Sequence, residues 1–194
     1  LSIELDGGNY DDYSLKIDTG DMGAITFSGA SKGVGGLNNY ADVVPTAYEE
    51  VYDVTDGNDY GVVGNASSTS AFNYSGTFGN LTVSAIWVPA STSSSSVVLE
   101  YADLIEGLTI GAGSGEVGTT QDEESVWVKY TMGGATMAYQ RSEVDYAAAT
   151  SRDEEADHYG ISFAVNEDLT VSAGRQEVDF STSGNEDEES SGVS

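Results

Sequence analysis

Carboxylates are the chemically active groups that this 194-residue sequence holds in quantity, with 33 Asp and Glu against 6 Lys and Arg. The single histidine, His158, cannot build a His-based metal cluster or a conventional Ser-His-Asp triad. The chain has no cysteine, which excludes disulfides and thiolate metal sites. The net charge of −27 makes nucleic acid a poor partner, because phosphate binding depends on Lys and Arg. With no Walker loop or nucleophile elbow either, we predict that the chain is not an enzyme.

The acidic residues are concentrated in the connections that we expect between strands. The longest connection, 32–70, interleaves acids with tyrosines, and its acids are Asp42, Glu49, Glu50, Asp53, Asp56 and Asp59. Further acidic runs lie at 186–189 and in two triplets: Asp122, Glu123 and Glu124, and Asp153, Glu154 and Glu155. Carboxylate oxygens are good Ca²⁺ ligands, so the triplets predict a Ca²⁺ site as one option. Simple solvation is the other option, because no EF-hand spacing is present, and we expect no required cofactor.

The elements that position these residues are indicated by period-two alternation of apolar and polar residues, the pattern of two-faced strands. Tyr13, Leu15 and Ile17 alternate with Ser14, Lys16 and Asp18, and no stretch has helical spacing. We predict eleven strands, at 1–6, 12–18, 24–30, 71–77, 81–89, 97–103, 108–116, 125–132, 135–146, 157–164 and 169–180.

The connections alternate between short and long. The short ones are 19–23, 78–80, 104–107, 133–134 and 166–168, and the long ones are 7–11, 32–70, 89–96, 118–124, 147–156 and 181–191. Tight turns at one end and long loops at the other are typical of an antiparallel up-and-down transmembrane β-barrel. We therefore predict an all-β chain with one barrel domain over 1–194. This domain is incomplete at both ends, because a sheet in lipid must close and eleven strands leave two open edges.

The side chains on the two faces of the strands differ in a way that favours a membrane. Aromatic residues such as Tyr13, Phe27 and Trp87 lie on the apolar face near strand ends, as interfacial aromatic girdles do. The other face is rich in Ser, Thr, Gly and Ala, which suit a water-filled lumen. One alternative is an extracellular acidic β-sandwich or solenoid, structural or adhesive, that binds Ca²⁺. A third reading is a smaller membrane-barrel enzyme, although no catalytic set is visible.

The order of several short segments resembles a general diffusion porin of the alphaproteobacterial outer-membrane type, marine bacteria being one source. These segments are 16–21, 24–31 leading into the long connection, and the hairpin starts at 81–85 and 132–137. The resemblance implies a 16-stranded homotrimer in the bacterial outer membrane, in contact with lipid and lipopolysaccharide. It also implies passive diffusion of small hydrophilic solutes and ions, with calcium often bound at acidic loops.

The same resemblance implies that 32–70 is the loop that folds into the barrel and constricts the pore. Its acids would attract cations in a narrow aqueous passage, so we predict a preference for cations. Lys16 and Lys129 are the candidate opposing cations, and Lys16 is favoured because it is close in sequence to the loop. The alternative is that 32–70 is a solvated surface excursion.

Overall fold

The chain forms one antiparallel sheet in which each strand pairs with its neighbours in sequence. The computed structural model describes residues 2–6, 9–29, 35–45, 60–64, 66, 70–148, 152–181 and 188–193. The twelve strands of the sheet are β1 Ser2–Asp6, β2 Asn9–Asp18, β3 Ala24–Gly29, β4 Ser70–Phe78, β5 Leu81–Val88, β6 Ser94–Tyr101, β7 Leu108–Val117, β8 Gln121–Met132, β9 Ala135–Tyr146, β10 Glu154–Asn166, β11 Leu169–Phe180 and β12 Glu188–Val193. Two 3-10 helices, Gly20–Met22 and Gly36–Tyr40, flank β3. Within these residues, no helix is long and apolar enough to cross a membrane.

The predicted fold class, an antiparallel all-β meander, is confirmed, but the strand count of eleven was too low. The additional strand, β12, pairs with β11 from Ala173↔Val193 to Val178↔Glu188. It begins within 181–191, which the sequence analysis assigned to a loop because Glu and Ser are weak strand formers. Strand pairing with β11 overrides that local preference.

Several strands also begin earlier than predicted at the long-loop end of the sheet. Strand β6 begins at Ser94, β8 at Gln121 and β10 at Glu154, so the connections after β5 and β7 shrink to 89–93 and 118–120. The predicted loops 89–96 and 118–124 were therefore too long, because their Ser, Asp and Glu residues were taken as loop-forming. At the opposite end the two-residue turns are as tight as predicted, and Gly79 and Gly133 occupy their left-handed positions at φ 63° and 60°.

One face of the sheet is apolar and points away from the rest of the chain. Trp87, Leu99 and Phe163 keep 49%, 51% and 49% of their surface exposed. On the same face, aromatic rings of four successive strands lie 5.0–6.0 Å apart, from Tyr13 through Phe27 and Phe72 to Trp87. A β-sandwich would bury these rings between two sheets. The sandwich alternative was therefore wrong, and the apolar surface is suited to acyl chains.

The opposite face carries small and polar side chains, several of them buried. Ser84, Ser96, Ser125 and Ser142 are exposed by 5% or less, although hydroxyl groups normally remain in water. The described cover is not a second sheet but residues 35–45, 60–64 and 66 of the connection between β3 and β4, which lie along this inner face.

Candidate functional site

Residues 35–45, which follow β3, lie against the inner face of the central strands. The Gly36 N–H donates to Ser84 Oγ at 3.0 Å, and the Leu37 N–H donates to Ser96 Oγ at 2.9 Å. The Leu37 side chain is fully buried in a cluster with Val63, Val98, Trp127 and Val144. Gly113 leaves the room for it, since a Cβ there would lie 2.5 Å from Leu37 Cδ2. This segment is thus held both by wall hydroxyls and by an apolar contact.

A buried glutamine on β9 fixes the end of the same segment. Gln140 is 0% exposed, and its Oε1 accepts the Val43 N–H at 2.9 Å. Its Nε2 donates to Tyr40 O at 2.8 Å and to Ser125 Oγ at 3.0 Å. A side-chain amide can satisfy a backbone donor and a backbone acceptor at once, which buried peptide groups require.

Residues 60–64 return along the inner face and are held by two carboxylates. The Gly61 N–H donates to Glu154 Oε2 at 2.7 Å, and the Gly64 N–H donates to Glu123 Oε2 at 2.8 Å. Both acids are buried, with 8% and 1% of their surfaces exposed. Hydrogen bonds to a charged partner contribute about 1.5–3 kcal/mol each. Ser142 and Gln176 complete the contact by donating to Gly61 O at 2.5 Å and to Tyr60 O at 2.9 Å.

We call five of these side chains the latch residues: Glu123, Gln140, Ser142, Glu154 and Gln176. All five hydrogen-bond to backbone atoms in the described part of the connection. They lie on β8 to β11, so the sheet wall itself determines where the connection rests. These residues could not be identified from the sequence, because Ser and Gln occur on a polar strand face whether they bind a loop or water.

The residues predicted to form the constriction are only partly within the described chain. Asp42 lies within residues 35–45, where its Oδ1 accepts the Val44 N–H at 2.7 Å. Lys16 and Lys129 both lie on the inner face, Lys16 exposed on β2 and Lys129 half-buried on β8. In the described part of the chain, no salt bridge joins either lysine to an acid. The other predicted acids lie outside the described residues: Glu49, Glu50, Asp53, Asp56 and Asp59.

An open cavity of about 520 Å³ lies beside residues 35–39, along the inner wall of β2 to β5. Lys16 and Asp18 supply its charges. Its other polar lining side chains are Ser14, Thr26, Ser28, Asn39, Asn73, Ser75, Thr77 and Ser84. Hydroxyl and amide groups of this kind hold water, so this wall is suited to an aqueous passage.

The acidic triplets do not form clusters, because strand alternation separates their members. Asp122, Glu123 and Glu124 lie in β8 rather than in a loop, so Glu123 points inward and its neighbours point outward. Glu154 also points inward, while Glu155 pairs with Arg141 on the outer face. Asp153 Oδ1 accepts the Tyr146 N–H at 2.9 Å. No group of three His, Cys, Asp or Glu among the described residues is placed to hold a metal ion, and Ca²⁺ binding remains a prediction.

An aromatic pair marks the edge of the covered wall. The Tyr40 ring stacks on the Trp127 ring with centroids 4.7 Å apart, and the Trp127 Nε1–H donates to Glu100 Oε2 at 3.2 Å. Trp127 lies flat over Gly111, where a Cβ would come within 2.2 Å of the indole. Burial raises the pKa of Tyr40, and the nearby Glu100 charge raises it further. The sequence analysis did not single out Glu100, although a lone acid between Leu99 and Tyr101 was a usable signal.

The comparisons with known proteins give a fold but no family. No family model matches the sequence, and no curated protein matches it. Among solved structures, the chain is similar to OmpTdeltaL8, a loop L8 deletion mutant of OmpT, an outer membrane protein of Vibrio cholerae. The match has a TM-score of 0.71 and 18% sequence identity, and it covers 97% of this chain and 69% of that one.

This likeness corrects the prediction that the chain is not an enzyme. At 18% identity the match to OmpT shows the fold alone, and one fold can carry many unrelated activities. The outer-membrane barrel fold therefore gives no basis for excluding catalysis, and the missing motifs in the sequence were insufficient grounds.

The fold and the orientation of its faces agree on the location of the chain. The apolar side chains point outward, the polar ones point inward, and the fold is that of an outer-membrane protein. The chain is an outer-membrane β-barrel protein.

Proposed function

We propose that the chain is part of a general diffusion porin, a water-filled channel for small hydrophilic solutes and ions with a preference for cations. One observation carries the proposal. Residues 35–45 and 60–64, between β3 and β4, are hydrogen-bonded through their backbone to the inner wall, and residues 35–45 lie beside a polar cavity of about 520 Å³. A loop held inside a barrel narrows the lumen without closing it, which is the arrangement that limits the size of a diffusing solute.

The preference for cations rests on charge. The chain carries 33 acids against 6 bases, and acids near a narrow aqueous passage raise the local concentration of cations. The proposal includes the alphaproteobacterial type, the role of the acids of 32–70 in the constriction, and the opposing roles of Lys16 and Lys129.

The proposed partners are supported by the exposed apolar face and by the resemblance to general porins. Outer-membrane lipid and lipopolysaccharide would contact the exposed apolar face, and the complete protein would be a homotrimer. Because β1 and β12 are not paired with each other among the described residues, closure of the barrel in lipid requires additional strands.

Planar-bilayer recording tests the proposal directly. The complete detergent-extracted protein should give ohmic channels whose reversal potential in a KCl gradient favours K⁺ over Cl⁻. An absence of ohmic channels would contradict the porin function. Ohmic channels that favour Cl⁻ would contradict only the cation preference.

A further inference from the structure

We infer that Glu100 is a selectivity-determining residue of the passage, held toward the lumen by Trp127; the inference rests on the proposed porin function. Glu100 belongs to the inner face of β6, because its sheet partners are Thr82 on β5 and Gly111 on β7. The sequence analysis placed the selectivity acids in the connection 32–70. Glu100 is instead a wall acid, fixed by the sheet.

Burial along β6 locates Glu100 at the edge of the covered wall. On the inner face of this strand, Ser94, Ser96 and Val98 are exposed by 8%, 5% and 0%, and Leu37 lies over Ser96 and Val98. Glu100, the next inner residue, is only half-buried. The same transition occurs on β8, where Trp127 is 4% exposed and Lys129 is half-buried. Glu100 is therefore the first inner residue of β6 that the described part of the chain leaves partly open to the lumen.

The surroundings of Glu100 fix its carboxylate without neutralising it. Trp127 Nε1–H donates to Glu100 Oε2. The indole is held in this orientation because it lies between Gly111 and the Tyr40 ring. No salt bridge reaches Glu100 from any basic residue in the described chain. Lys129 is on the same face but two strands away, roughly 10 Å across the sheet. A fixed, unneutralised carboxylate beside a tyrosine ring attracts cations, which aromatic faces also favour.

Three variants of the complete protein test this assignment by reversal potential in a KCl gradient. In E100Q, the K⁺/Cl⁻ permeability ratio should fall by about two-fold, the size expected for one partly screened charge. W127F keeps the ring but lacks the N–H donor, so the ratio should fall less while the conductance stays unchanged. E124Q removes one charge from the outer face and should leave the ratio as in the wild type.

An E100Q channel with the same ratio as E124Q would overturn the assignment of Glu100. A W127F channel with the wild-type ratio would overturn the positioning role of Trp127. The absence of any channel in the wild type is a separate result, because it removes the proposed function itself. Mobility of unheated samples in gel electrophoresis shows whether each variant is folded, and W127F provides a second route if E100Q does not fold.

Discussion

The inner walls of β2–β4 and of β8–β11 have similar polar compositions but opposite surroundings. On β2–β4, Lys16, Thr26 and Asn73 line an open cavity. On β8–β11, Gln140, Ser142 and His158 are 0–1% exposed. The difference arises because residues 35–45 and 60–64 lie over the second wall, whereas on the first wall the described cover is limited to the loop end, where Ala66 packs on Ala71. A polar inner face therefore has two uses in this protein: one part holds a loop by its backbone, and the other part remains for water.

The largest effect on the difference between the two walls should come from removing the carboxylates of Glu123 and Glu154. In E123A/E154A, two backbone N–H groups lose charged acceptors, and we expect the free energy of unfolding to fall by about 3–6 kcal/mol. The released segment should also change the single-channel conductance. Urea unfolding in detergent and planar-bilayer recording measure the two effects.

The matched control for this prediction is E124A/E155A, which removes two carboxylates from the outer face. Its cost should stay below about 1 kcal/mol, since only a surface ion pair with Arg141 is lost. If both double variants lose the same stability and keep the wild-type conductance, the carboxylates do not hold the connection.

A smaller loss of stability should follow from weakening the apolar contact between Leu37 and the inner wall. Leu37→Ala removes a fully buried side chain, which typically costs about 2–5 kcal/mol. Leu15→Ala, on the outer face where Leu15 is 45% exposed, should cost less. Thermal unfolding in the same detergent compares the two variants. Equal losses would mean that Leu37 is not packed against the wall.

The sequence predicted which face of each strand meets lipid. It did not predict whether a given inner residue binds the connection or water. Alternation of Tyr159, Ile161 and Phe163 with small neighbours correctly assigned the lipid side. The contact between Val43 and Gln140 joins residues far apart in sequence, and no local pattern encodes it.

The same limit applies to the acidic triplets. Their residue types indicated loops, but β8 extends through Asp122, Glu123 and Glu124 and sends alternate carboxylates to opposite faces. Strand ends are hard to predict when acidic residues occupy them, because pairing with neighbouring strands outweighs local preference. Glu123 consequently holds the connection instead of joining its neighbours in an acidic cluster.

Thiol accessibility in the open channel tests the central claim most directly, because the natural sequence contains no cysteine. Three single variants sample the open wall, the covered wall and the lipid face: T26C, S125C and I25C. A water-soluble thiol reagent added during bilayer recording should reduce the current through T26C and leave S125C and I25C unchanged. Reaction of S125C as fast as that of T26C would show that the connection does not cover the wall of β8–β11.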